Sequence, residues 1–204
     1  MIDENSGNIF RFPLEHGLGY GYVEVLDSSD SGTWEFLAYV YNYFDKDEIC
    51  QDILKIINSG VYMGPFNITR YPNTKGKKAW KLIGRNENFN RDFPDQKAFA
   101  GDKSFYDWSK LHPWRYFKSL SFKFEEVEYE KVRHLEYVNL WTHKDSLPEK
   151  VTMKKLIEMG KKVGEYYDFS DLGNRNVFVQ VINTYFSQEK VEELIKDLPP
   201  FSHT

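Results

Sequence analysis

Between residues 34 and 44 the chain alternates as an extended backbone does, with Trp34, Phe36, Ala38, Val40 and Phe44 on one side and Leu37, Tyr39, Tyr41 and Tyr43 on the other. Both sides are apolar, so this strand is read as a central one. Residues 8 to 14 and 19 to 26 read as two earlier strands, a hairpin whose turn is Glu15-His16-Gly17.

After the central strand the period changes. Ile49, Ile53, Ile56 and Ile57 recur at helical spacing behind Asp45-x-x-Glu48, a pair suited to capping a helix, and Asn58-Ser59-Gly60 supplies the stop. Residues 61 to 70 and 78 to 85 read as another strand pair, joined by the turn-rich Tyr71-Pro72-Asn73-Thr74-Lys75-Gly76. Residues 86 to 118 keep no period. They are crowded with aromatics, which argues for an ordered loop packed on the core.

Residues 119 to 129 alternate again, with the phase slipping at Glu125-Glu126. From 131 to 141 helix and strand templates fit about equally, and strand is the reading adopted. Ser146-Leu147-Pro148-Glu149 is a capping box ahead of a helix with Met153, Leu156 and Ile157 on its apolar face, ended by Gly160 or Gly164. Residues 176 to 186 read as the last strand. Ser187 opens a final helix carrying Val191, Leu194, Ile195 and Leu198, stopped by Pro199-Pro200.

With no regular alternation of strands and helices, the expected class is α+β: a mainly antiparallel, strongly twisted or barrel-like sheet with three or so helices packed on it. Residues 1–204 are expected to form a single domain, with a β-rich part over about 7–85, the aromatic-rich loop over 86–118 and an α+β carboxyl-terminal part over 119–198.

A chain of 204 residues that is 41% hydrophobic and 17% aromatic can bury a substantial core, so disorder is not the default. The net charge of -4 provides no basic field, which argues against a nucleic-acid partner. Cys50 has no second cysteine to pair with, which suits a reducing compartment. The opening MIDENSGNIF lacks a secretory pattern, and no apolar run approaches the roughly 20 residues of a membrane span. A cytoplasmic protein without a membrane partner is expected.

The stretch Gly17-Leu18-Gly19-Tyr20-Gly21-Tyr22 invites a phosphate-loop reading. A dinucleotide fingerprint needs a third glycine where Tyr22 stands and a helix where Val23-Glu24-Val25 continues as strand. The other motifs of a kinase are missing too. Read as strand, Gly19, Gly21, Val23 and Val25 share one face, where small residues admit a close neighbour, and Tyr20, Tyr22 and Glu24 share the other. Tyr39, Tyr41 and Tyr43 form a second stripe. If the two strands are neighbours, the stripes make either one aromatic surface for a protein partner or an interior packed beneath the helices and the loop.

His16, His112, His134, His143 and His203 are scattered without metal-binding spacing, so no metal site is expected. His134 with Glu136, and His143 with Asp145, are acid-base pairs by spacing alone and identify no nucleophile. Cys50 reads as a small buried hydrophobe. Arg70, Lys75, Lys77, Lys78, Lys81 and Arg85 form a basic cluster and Glu125, Glu126, Glu128 and Glu130 an acidic one, either solvated faces or charges that steer a protein partner.

Gly7-Asn8-Ile9-Phe10-Arg11-Phe12-Pro13-Leu14, followed by the glycine and tyrosine strand, resembles the opening of the bacterial immunity proteins of polymorphic toxin systems known as immunity protein family twenty-six. Trp80-Lys81-Leu82-Ile83-Gly84 is similar to a later element of that family. The resemblance covers roughly residues 7 to 85, with Asn8 in place of the usual aspartate and Lys81 in place of a proline. It implies a mostly β fold, cytoplasmic residence and neutralisation of a cognate toxin domain by binding; together with the absence of a catalytic set, the expectation is a non-catalytic protein that needs no cofactor.

The residues expected to meet that partner are Tyr20, Tyr22, Glu24, Tyr39, Tyr41, Tyr43 and Trp80. Two alternatives stay open: a small-molecule or peptide-binding module whose pocket is lined by the tyrosine stripes and residues 86 to 118, and a hydrolytic enzyme using His134 or His143.

Overall fold

The computed structural model describes residues 5–27, 36–68, 71–76, 79–89, 95–99, 114–118, 123–136 and 146–199. Strands β1 (Asn8–Pro13), β2 (Tyr20–Asp27), β3 (Phe36–Asp45), β4 (Val61–Ile68) and β5 (Lys81–Arg85) form one antiparallel sheet in the order β4-β3-β2-β1-β5, with helix α1 (Ile53–Asn58) between β3 and β4 in the chain. A second antiparallel sheet holds β6 (Gln96–Phe99), β7 (Trp114–Phe117) and β8 (Phe124–Val127). The single helical turn α2 (Tyr129–Val132) and the helices α3 (Ser146–Glu158), α4 (Leu172–Tyr185) and α5 (Gln188–Ile195) follow. The class is α+β as expected, but the larger sheet stays open rather than closing into a barrel, because its edges β4 and β5 do not pair.

The alternation read from the sequence sorts the two faces of this sheet. Phe10, Phe12, Val23, Val25, Ala38, Val40, Met63, Phe66 and Trp80 pack on one side, where Leu147 and Val151 of α3 complete the cluster. On the other side Ile9, Tyr22 and Tyr41 lie against Ile56, with Ile53 and Ile57 of α1 beside them. Each such aromatic or branched side chain taken out of water contributes about 1.5–3 kcal/mol, so covering both faces is what holds the sheet.

Five readings change. First, β4 and β5 are not a hairpin but opposite edges of the sheet; β5 pairs with β1, setting Asn8 opposite Arg85 and Arg11 opposite Lys81. The connection between them anchors its aromatics on the sheet: the Tyr71 ring meets Phe10 at 5.4 Å and Phe36 at 5.3 Å, and Trp80 meets Phe12 at 5.2 Å. A simple hairpin turn would leave those rings in water.

Second, α1 begins later than the isoleucine spacing suggested. Its cap is Asp52, whose carboxylate accepts the Lys55 N–H at 3.0 Å, while Asp45 stays in β3 as the counterion of Arg11. Third, residues 86 to 118 are not all loop, since β6 and β7 lie within them; residues 101 to 113 fall outside the described part. Fourth, residues 129 to 132 form a helical turn and 133 to 136 are not strand, while 137 to 141 lie outside the described residues.

Fifth, the expected last strand is helix α4, capped by Asp171 accepting the Gly173 N–H at 2.7 Å. Residues 176 to 182 are all buried, and a helix apolar on every side looks in sequence like a buried strand. The other two helices are where they were expected. Lys161 N–H reaches Leu156 O at 2.9 Å and Gly160 N–H reaches Ile157 O at 2.9 Å, closing α3, and Ser187 caps α5. The side chain of Ser146 lies outside the described residues.

Candidate functional site

β1, β2 and the end of β3 converge on a charge buried in an apolar strand. Arg11 is 7% exposed, between Phe10 and Phe12, and such a guanidinium needs a carboxylate. Asp45 supplies it: Arg11 Nε donates to Oδ1 at 3.2 Å and Oδ2 at 3.3 Å, and a second guanidinium nitrogen also bonds Oδ1. Tyr22 donates its hydroxyl to the same carboxylate and accepts the Cys50 N–H at 2.9 Å. Burial, and then that bond to Asp45, hold the Tyr22 phenol well above its usual range, so it stays a neutral donor.

Around this buried centre lies a half-buried rim. The Tyr20 ring stacks on Arg11, with Cζ 3.4 Å from the ring centre. Tyr43 packs edge-on against Tyr22 at 5.4 Å, and Lys55 Nζ lies 5.3 Å from its ring centre. The rim is thus held by the interior.

A second polar centre sits further along β2. Glu24, 5% exposed, accepts a hydrogen bond from the Tyr41 hydroxyl and two from Asn86 Nδ2, at 3.2 and 3.3 Å. Burial raises the Glu24 carboxyl above its usual range, opposed by these bonds.

The glycines that opened the functional question serve close packing. At Gly19, φ is +96° and an added Cβ would stand 2.1 Å from the Asp45 carbonyl oxygen; at Gly21 it would stand 2.8 Å from Phe12. The strand reading of GLGYGY holds from Tyr20 onward, where β2 begins, while Gly17 ends a 3-10 turn and Leu18 and Gly19 lead into the strand.

Of the residues expected to meet a partner, Tyr20, Tyr39 and Tyr43 are half-buried. Tyr22, Glu24, Tyr41 and Trp80 are buried, Trp80 on the opposite face of the sheet. β2 and β3 are neighbours, so the two tyrosine stripes do form one surface, much of it under α1. Arg11 and Asp45 were missed, although a lone arginine in Ile9-Phe10-Arg11-Phe12 signals a paired buried charge. Cys50 is partly buried and lies before α1 rather than within it.

His134 is exposed, while Glu136 is buried with its oxygens held by Lys150 and Tyr185, so spacing brings no acid-base pair together here. His112, His143, Asp145 and His203 lie outside the described residues. No group of three or more histidine, cysteine or acidic residues suited to a metal occurs among the described residues. A cavity of about 470 Å³ opens instead in the helical part, among Ile157, Val163, Phe178, Leu194 and the lysines 161, 162 and 190, away from the tyrosine stripes.

Of the basic cluster, Lys75 and Lys81 are exposed, and Arg70, Lys77 and Lys78 lie outside the described residues; Glu125 and Glu126 are exposed on β8. No helix among the described residues is long and apolar enough to cross a membrane.

No curated protein and no solved structure gives a match to the chain. A family does: residues 5–104 match the family model of Immunity protein 26, which bears out the resemblance read from residues 7 to 85 and extends it at both ends.

Proposed function

We propose that this chain is a non-catalytic immunity protein that resides in the cytoplasm and neutralises a cognate toxin domain by binding it. The observation that carries this reading is the match of residues 5–104 to Immunity protein 26. The geometry supports it in kind. Tyrosine and arginine dominate the strong contacts of protein interfaces, and rigid aromatics lose little entropy when a partner docks.

On this reading the half-buried Tyr20, Tyr39 and Tyr43 touch the partner. Tyr22, Tyr41, Glu24 and Trp80 act on it from beneath, by fixing the strands that present the rim. The net charge of -4 agrees with a protein partner rather than nucleic acid.

The test is co-expression with the terminal domain of the toxin encoded beside this gene. Restored growth and a complex that co-purifies are the expected result; the absence of both overturns the reading.

A further inference from the structure

The larger sheet ends in two unlike edges. β4 carries Gly64 and Pro65 in mid-strand, and a proline has no N–H to offer a further strand. β5 is Lys81-Leu82-Ile83-Gly84-Arg85, without proline, and among the described residues no strand pairs with its outer edge. Leu82 stands opposite the buried Phe10 and is nevertheless 50% exposed. An apolar side chain beside open backbone groups is a template for strand addition, in which main-chain bonds give affinity and alternate side chains give selectivity.

Charge narrows the occupant. Lys81 is exposed at one end of β5, Lys75 is exposed in the connection before it, and Arg85 closes the other end, with Glu87 3.6 Å away. A second β5 laid alongside would bring like charges together, which is unfavourable across paired strands. An acidic strand would meet the exposed Lys81 and Lys75 at one end, while Arg85 at the other is half-buried beside Glu87.

We propose that β5 is the docking strand for an extended, acidic segment of the toxin, which adds to the sheet as its sixth strand and sets an apolar side chain on Leu82. The inference rests on the immunity reading above and names the surface and the partner chemistry. One rival occupant exists within the chain: β8, Phe124-Glu125-Glu126-Val127, is an exposed acidic edge of the smaller sheet, so β8 of a second copy has matching chemistry.

The experiment titrates the toxin's terminal domain into the full chain, and into K81E/R85E and L82E, with the fold of each variant checked by circular dichroism. Hydrogen exchange is followed at residues 81–85. The expected result is slowed exchange at 81–85 in the complex and about tenfold or greater loss of affinity in K81E/R85E, larger at low salt. L82E, altered at a half-exposed site, reports the same loss if the double variant is poorly folded.

Tight binding by the wild type with unchanged exchange at 81–85 and unchanged affinity in the variants overturns the β5 assignment alone. Absence of wild-type binding overturns the immunity reading and this inference with it. Self-association of the wild type that either K81E/R85E or E125K/E126K abolishes assigns β5 to a second copy and overturns docking of the toxin there.

Discussion

Lys150 Nζ lies 2.6 Å from Glu136 Oε2, with the two side chains only 7% and 6% exposed. The other oxygen of Glu136 accepts the Tyr185 hydroxyl, and that hydroxyl accepts the Gly64 N–H at 3.1 Å. Burial, then the Glu136 charge, hold the Tyr185 phenol far above its usual range, so it remains a donor. One ion pair therefore ties α3 and α4 to β4. Removing one member of a buried pair leaves the other charge uncompensated, so Glu136→Gln is expected to cost about 3–5 kcal/mol in urea unfolding. Glu136→Leu combined with Lys150→Met is expected to recover most of that loss. A double variant as weak as the single one contradicts this account.

Gly19 and Gly21 are expected to resist alanine for different reasons. In Gly21→Ala the new methyl meets Phe12, itself fully buried, and overpacking of that kind costs about 1–3 kcal/mol. Gly19→Ala faces both a positive φ and the Asp45 backbone, which cannot give way without moving the carboxylate that holds Arg11. Thermal unfolding followed by circular dichroism should show the larger drop in melting temperature for Gly19→Ala. Equal melting temperatures for both variants and the wild type would count against close packing as the role of these glycines.

How far the residues announced this arrangement differs by element. β1, β2 and β3 were legible because each alternates over its length and each follows the last directly, so local pattern and pairing agree. The partner of β5 was not, since nothing in Lys81-Leu82-Ile83-Gly84-Arg85 tells which strand it will join, and β1 lies some seventy residues back. Val177, Val179, Val181 and Ile182 favour strand by type, and only burial on all sides of α4 overrides that preference. At the candidate site, the adjacency of the tyrosine stripes could be read from strand order. The cover that α1 places over them could not, because Asp45, which spacing offers as its cap, is the counterion of Arg11 and the helix is capped by Asp52 instead.

The family match ends at residue 104, yet the sheet face beneath it is completed by Leu147 and Val151 from α3. We expect residues 1–104 produced alone to lack a cooperative transition, because Phe10, Val25, Met63 and Phe66 lose their cover. In the full chain, Leu147→Ala is expected to cost about 2–5 kcal/mol, the range for deleting a buried leucine side chain. A sharp thermal transition in the fragment, with native-like circular dichroism, overturns the single-domain expectation.

Glu149 makes stability depend on pH. Its carboxyl is pushed up to about 7, first by burial and then by the nearby Glu15 and Asp171, from an ordinary value of 4.5. Both neighbours are occupied in holding the fold: Glu15 accepts the Tyr167 hydroxyl at 2.7 Å and offers its N–H to Thr152 Oγ1 at 3.0 Å, and Asp171 caps α4. Below 4.5 the folded and the unfolded chain both keep the proton, and the contribution of Glu149 is fully present. Between 4.5 and about 7 the unfolded chain has released the proton while the folded one retains it, so unfolding becomes easier as pH rises, and above about 7 the contribution is gone. Glu149→Gln, which keeps the neutral shape at every pH, should match the wild type near pH 5 and exceed its melting temperature near pH 8. A difference in melting temperature that stays constant across that interval would show that Glu149 titrates in its ordinary range.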